Sequence, residues 1–200
     1  ELRSQAQGQA YNQAVMAQWR SKAVNDTYEP GSTFKAIVLS MALEEGLVTE
    51  SDTFTCTGGV KVEGYPNIIR CSKRTGHGTQ TLAEAVQNSC NPAFIAIGQR
   101  LGVERFYEYF QAFGYTEMTG VDLPDEAKGI NWGDDMTNVD LAVASFGQRF
   151  TTTPIQQITA FSAVINGGRL MQPYIVKSVT DQNGNVIQNT EPTLVRQVVS

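Results

Sequence analysis

Tyr28-Glu29-Pro30-Gly31-Ser32-Thr33-Phe34-Lys35 is the stretch on which the reading of this 200-residue chain turns. A serine precedes a lysine by three positions, just after Pro-Gly and ahead of the apolar run Ala36-Ile37-Val38-Leu39-Ser40-Met41-Ala42-Leu43. Pro-Gly breaks the incoming chain, and the run predicts a helix over about 32–45, stopped by Gly46. Residues i and i+3 share a helix face, so the Ser32 hydroxyl and the Lys35 amine can approach each other. In the first turn, free N–H groups and the positive dipole end favour developing negative charge. That arrangement suits a nucleophilic serine with an adjacent amine base. The competing interpretation is an N-cap serine followed by a solvated lysine, and a bare Ser-x-x-Lys is too short to exclude it.

Downstream, Ser89-Cys90-Asn91 precedes Pro92. It separates a predicted helix, 82–88, from another, 93–101. A serine and an asparagine at such a break can project into a cleft, although an Asn-Pro junction is also an ordinary helix stop and restart.

The remaining chain reads as α+β. Thr81 with Glu84 has capping-box spacing. Phe106, Phe110 and Phe113 recur on one face of an amphipathic helix, 103–113, and read as core. Thr153-Pro154 opens a helix that Gly167-Gly168 closes. Short strands are expected at 53–56, 60–62 and 68–71, and Asn183-Gly184 marks a β-hairpin between 174–180 and 186–188. Residues 1–21 read as a polar helix. The hydrophobic share is 41%, enough for a core. A net charge of −5 argues against nucleic acid as a partner. There is no run of ~18 apolar residues to form a membrane span. The acidic turn Asp122-Asp125-Glu126 reads as a solvated loop. One histidine, His77, and three dispersed cysteines, Cys56, Cys71 and Cys90, match no metal-ligand spacing, so no metal site and no cofactor is expected.

The longer motifs resemble the transpeptidase domain of class B penicillin-binding proteins, the division and sporulation type of Gram-positive bacteria. They are YEPGSTFK (28–35), GHGTQTLAEAVQNSCNPAFIAIGQRLG (76–102), TGVDLP (119–124) and ASFGQRFTTTPIQQITAFSAVINGG (144–168). The family signature joins Ser-x-x-Lys, Ser-x-Asn and Lys-Thr-Gly. The first two occur; the only lysines after position 100 are Lys128 and Lys177, and neither precedes Thr-Gly. The resemblance therefore implies an interior piece, 1–200, of a penicillin-binding protein/serine β-lactamase-like fold. It should hold a nucleophile helix about 32–45, a helical subdomain about 76–166 and a hairpin about 173–190. Most of the central sheet and the membrane anchor are expected to lie outside it, and the piece alone is expected to react little with β-lactams. Arg149 and Asp125 stand where the family usually has glycine; if either glycine has positive φ, the substitution strains that turn.

The resemblance also implies the chemistry. Ser32 attacks a peptide carbonyl, Lys35 acts as base, Ser89 relays a proton and Asn91 binds the substrate backbone. A lysine titrating near ~10.4 serves as base only when desolvated or beside another cation. The expected function is peptidoglycan D,D-transpeptidation through an acyl-enzyme, on stem peptides, with β-lactams as inhibitors. It would act at the extracytoplasmic face of the membrane, alongside possible division or sporulation proteins. The alternatives are a penicillin-recognising sensor or scaffold module, and a serine carboxypeptidase or β-lactamase. His77 is expected at the cleft edge in a structural role. If a disulfide forms, the family's loop placement favours Cys71–Cys90, a bond able to hold the site inactive; three free thiols are the other possibility.

Overall fold

The computed structural model describes residues 2–200, with side chains from residue 7 onward. Helices α1 (Leu2–Gln18) and α2 (Lys22–Asn25) lead into the octapeptide. Tyr11, Met16 and Trp19 are exposed, so α1 buries none of its large apolar side chains past residue 7. The octapeptide departs from the expected α-helix at its start. Gly31–Phe34 is a 3₁₀ turn, and only then does α3 (Lys35–Glu44) begin. In a 3₁₀ turn, side chains at i and i+3 eclipse, which places Lys35 directly behind Ser32.

Four strands follow: β1 (Thr53–Cys56), β2 (Gly59–Lys61), β3 (Ile68–Arg70) and β4 (Gly78–Thr81). They form two antiparallel pairs, β1 with β4 and β2 with β3, and the first sets Cys56 opposite Gly78. Thr81 and Glu84 close the expected capping box on α4 (Leu82–Gln87). Next come α5 (Asn91–Leu101), with Pro92 in its first turn, and α6 (Val103–Ala112). A second capping box, Thr137 with Asp140, starts α7 (Asn138–Ala144), and a third, Thr153 with Gln156, starts α8 (Pro154–Ile165). The C-terminal hairpin pairs β6 (Ser178–Thr180) with β7 (Val186–Asn189). Around it, β5 (Arg169–Met171) pairs with β8 (Leu194–Gln197), a pairing the sequence reading lacks.

The core is built around the octapeptide. α5 is apolar along most of its length and packs against α3 and α7. Phe34, between the serine and the lysine, is fully buried. Its ring meets Phe150, Tyr115, Phe106 and Phe110 at centroid distances of 4.8, 5.2, 6.1 and 6.1 Å. Tilted and edge-on aromatic pairs of this kind each add about 0.5–1.5 kcal/mol beyond area burial. The expected core face of α6 is borne out: Phe106, Phe110 and Phe113 are all buried.

Candidate active site

The Gly31–Phe34 turn is held from below and from the side. Phe34 anchors it in the aromatic cluster. Beside it, Gly31 N–H donates to Gly147 O at 2.8 Å, and Tyr28 and Thr152 exchange backbone hydrogen bonds at 3.0 Å. A Cβ on Gly147 would fall 2.0 Å from Gly31 O, and its φ is +82°, so both space and backbone demand glycine there. Arg149 takes φ +66° and Asp125 φ +59°, the left-handed region expected to strain a non-glycine residue. Arg149 is braced: its N–H donates to Glu29 Oε1 at 2.8 Å, and its guanidinium pairs with Asp140 at 2.9 Å.

The second motif comes from the break between α4 and α5. Ser89 adopts φ +48°, ending α4 with a left-handed residue. Such strain in a non-glycine residue costs about 1–3 kcal/mol and clusters at functional sites. The turn aims both Ser89 and Asn91 at Lys35. Lys35 Nζ donates to Ser89 O at 2.7 Å, Ser89 Oγ at 2.9 Å and Asn91 Oδ1 at 2.8 Å. These use all three ammonium protons. Ser89 Oγ in turn donates to Ser32 Oγ at 3.0 Å. The fold thus joins all four expected residues, with Ser89 bridging Lys35 to Ser32. Asn91 Nδ2 donates to Arg70 O at 3.2 Å, leaving one amide proton for a ligand.

Lys35 is 4% exposed and lies 5.3 Å from the centroid of the Phe94 ring. Burial drives its amine down to about 8, against a smaller opposing influence of the Cys71 and Cys90 sulfurs. Ser32, by contrast, is exposed. It stands between two hollows. One, of about 390 Å³, is mostly polar and includes Asn67, Arg70, Asn91 and Gln148. The other, of about 410 Å³, is mostly apolar and includes Ala36, Leu39, Phe161 and Val164. A buried amine, an exposed hydroxyl and a bridging hydroxyl, open on both sides, are an arrangement able to serve as base, nucleophile and relay.

A family model described as the penicillin binding protein transpeptidase domain matches residues 1–200. The chain belongs to this family. Stage V sporulation protein D of Bacillus subtilis is 45% identical over 184 residues, 90% of this chain and 28% of that protein. The peptidoglycan D,D-transpeptidase MrdA of Acinetobacter baumannii is 26% identical, over 84% of this chain and 27% of its own length. This transpeptidase-family chain thus spans under a third of the length of these curated relatives. Among solved structures, the D,D-transpeptidase domain of a peptidoglycan glycosyltransferase from Eggerthella lenta superposes with TM-score 0.83 at 25% identity, covering 94% of this chain and 50% of that one. Penicillin-binding protein A of M. tuberculosis, solved as its penicillin G acyl-enzyme, superposes with TM-score 0.77 at 29% identity, covering 90% and 42%. The α+β penicillin-binding fold expected from the motifs is the fold found.

The sequence shows the three cysteines and His77 as dispersed along the chain, and their spacing does not show that they meet. The fold brings Cys56, Cys71, His77 and Cys90 together, with all four ligand atoms within 4.8 Å of one another. Pairing of β1 with β4 does this by drawing Cys56 and the His77–Gly78 corner side by side. All three cysteines are free thiols here. Among the described residues, no helix is long and apolar enough to cross a membrane.

Proposed function

We propose that this chain carries the acyl-transfer centre of a serine-type peptidoglycan D,D-transpeptidase. The observation that carries the reading is the hydrogen-bonded series Ser32–Ser89–Lys35–Asn91 around a buried amine. With Lys35 neutral the series reverses: Ser32 donates to Ser89, and Ser89 donates to the amine. Ser32 Oγ then attacks the stem-peptide carbonyl while its proton moves through Ser89 to Lys35. Collapse of the tetrahedral intermediate returns that proton to the departing amine and leaves an acyl ester on Ser32. An acceptor amine attacks the ester, gives its proton to the same relay and leaves as the cross-linked amide. Asn91, with one amide proton free, holds the donor backbone in register. The Ser32 N–H, in the first turn of the nucleophile element, faces the developing oxyanion. β-Lactams enter by the same attack and stop at the acyl ester. The match to a stage V sporulation protein and to a peptidoglycan D,D-transpeptidase supports a place at the extracytoplasmic membrane face, with partners of a division or sporulation assembly.

The shift on Lys35 gives the reading a pH signature. With a pKa of about 8 the amine is neutral in about one molecule in ten at pH 7, against about one in 3,000 at the ordinary value of 10.5. The neutral form is the base, so the rate should rise with pH and level off above about 8. The test is the full-length protein given a D,D-stem-peptide donor and an amine acceptor between pH 6 and 10. Amide-linked product with that profile is expected. Hydrolysed donor without amide product would contradict the transferase reading, and a flat profile would contradict Lys35 as base.

A further inference from the structure

Four groups of soft-metal character meet behind the Ser89–Asn91 turn, and the acyl-transfer mechanism uses none of them. Cys56 closes β1, Cys71 follows β3, His77 precedes β4, and Cys90 is the residue before α5. The three cysteines are 2%, 2% and 0% exposed, and His77 is half-buried at the rim. We propose that Cys56, Cys71, His77 and Cys90 form a closed tetrahedral site for a soft divalent cation, zinc by ligand chemistry, that fixes the Ser89–Asn91 turn.

The distances suit such an ion. Zinc–sulfur bonds of about 2.3 Å and zinc–nitrogen bonds of about 2.0–2.1 Å, set tetrahedrally, put sulfurs about 3.8 Å apart and a sulfur and a nitrogen about 3.6 Å apart. Cys71 Sγ and His77 Nδ1 are 3.6 Å apart. The whole set lies within 4.8 Å, so small side-chain rotations complete the polyhedron. Three thiolates and one imidazole form one of the common structural zinc sets, and with four protein ligands no position is left open for catalysis. Binding releases the three thiol protons to solvent and leaves oxidation states unchanged.

The scaffold holds the ligands in place before an ion arrives. Cys71 N–H donates to Gly58 O at 3.0 Å. The loop from Cys71 to Gly78 presses so closely on Cys56 that a Cβ on Gly76, at φ +83°, would fall 2.2 Å from Cys56 O. Gln80 supplies an independent sign. It is 3% exposed, its side-chain oxygen accepts from Asn88 Nδ2 at 3.1 Å, and its Nε2 is buried with no hydrogen-bond partner while neighbouring the Cys90 thiol. A metal-bound thiolate at Cys90 is a strong acceptor for that N–H, as a thiol is not.

The consequence for the active site follows from the chain. Cys90 lies between Ser89 and Asn91, and Cys71 adjoins Arg70, whose carbonyl receives the Asn91 amide. An ion holding both cysteines ties these two segments together and supports the left-handed Ser89. These four residues are positioning residues, since none touches the reacting atoms. The same sulfurs cannot both bind an ion and form a Cys71–Cys90 disulfide, so oxidation and metal occupancy exclude each other.

The experiment is metal analysis of the full-length protein purified with its thiols reduced, followed by exchange of zinc for cobalt(II). One zinc per chain is expected. The cobalt form should show thiolate-to-metal charge transfer and intense tetrahedral visible bands. Cys56→Ser and His77→Ala should each weaken zinc binding by more than about 100-fold, beyond the 10–100-fold typical of outer-shell partners. The cobalt spectrum is read on the wild-type chain, so misfolding of a variant does not remove the test. The proposal is overturned by wild-type protein that binds neither zinc nor cobalt(II) at stoichiometric amounts. It is also overturned by an octahedral cobalt spectrum without sulfur charge transfer, or by metal content unchanged in both variants. None of these readouts needs transpeptidase activity, so the site and the proposed function can fail separately.

Discussion

Lys35→Ala in the full-length protein is expected to slow acylation by a penicillin about 10³–10⁴-fold, the upper range of a general base contribution. Burying a cation at 4% exposure is costly unless its protons are satisfied, and Lys35 spends all three on Ser89 and Asn91. In the proposed mechanism, removing the amine deprives Ser32 of its proton acceptor, and it also frees the turn that carries Ser89. Lys35→Arg separates base from charge. A guanidinium keeps the cation but stays protonated at any usable pH, so this variant should be slow as well. Stopped-flow or gel-based rate constants with a fluorescent penicillin provide the measurement. A fall of less than tenfold in Lys35→Ala, or near-wild-type acylation in Lys35→Arg, would contradict the assigned role.

The second large effect is structural. Phe34→Ala should destabilise the domain by about 3–5 kcal/mol, the usual cost of removing a buried phenylalanine. Phe34 is fully buried, and four other rings surround it, so the cavity cannot collapse without moving Phe106, Phe110, Tyr115 and Phe150 together. A domain commonly has only about 5–15 kcal/mol in total. Because Phe34 directly precedes Lys35 and stands two residues after Ser32, its loss should also loosen the site. Phe34→Leu, which keeps most of the volume, should cost clearly less. Chemical denaturation of the full-length protein, following this domain's transition, measures both. A loss under about 1 kcal/mol in Phe34→Ala would mean the ring is not the anchor described here.

Much of this architecture is legible in the sequence because local rules decide it. Thr81 with Glu84 and Thr153 with Pro154 announce helix starts that the structure reproduces, both as full capping boxes. Gly46 takes the positive φ expected of a helix stop. Ser32, Lys35, Ser89 and Asn91 are found by motif, and the fold brings them within hydrogen-bond reach. What local rules miss is what depends on distant pairing. No spacing shows that β5 will pair with β8 across the intervening hairpin. The 3₁₀ start at Gly31–Phe34 is set by the aromatic cluster and the Gly147 contact, both of them remote in sequence. The meeting of the cysteines is hidden for the same reason. Metal motifs are recognised by short gaps, whereas Cys56, Cys71, His77 and Cys90 meet through two separate strand pairs and a helix start. Arg149 and Asp125 show a partial success. The departure from glycine is visible in the sequence, but the brace from Glu29 and Asp140 that lets Arg149 hold its positive φ is visible only in the fold.

The central claim is that Ser32 is the acylated nucleophile, and the most direct test is to find where the acyl group lands. Full-length protein treated with a penicillin, digested and mapped by mass spectrometry should carry the adduct on the peptide containing Ser32. In Ser32→Ala no adduct should form. An adduct at Ser89 or any other residue, or labelling that survives Ser32→Ala, would contradict the account.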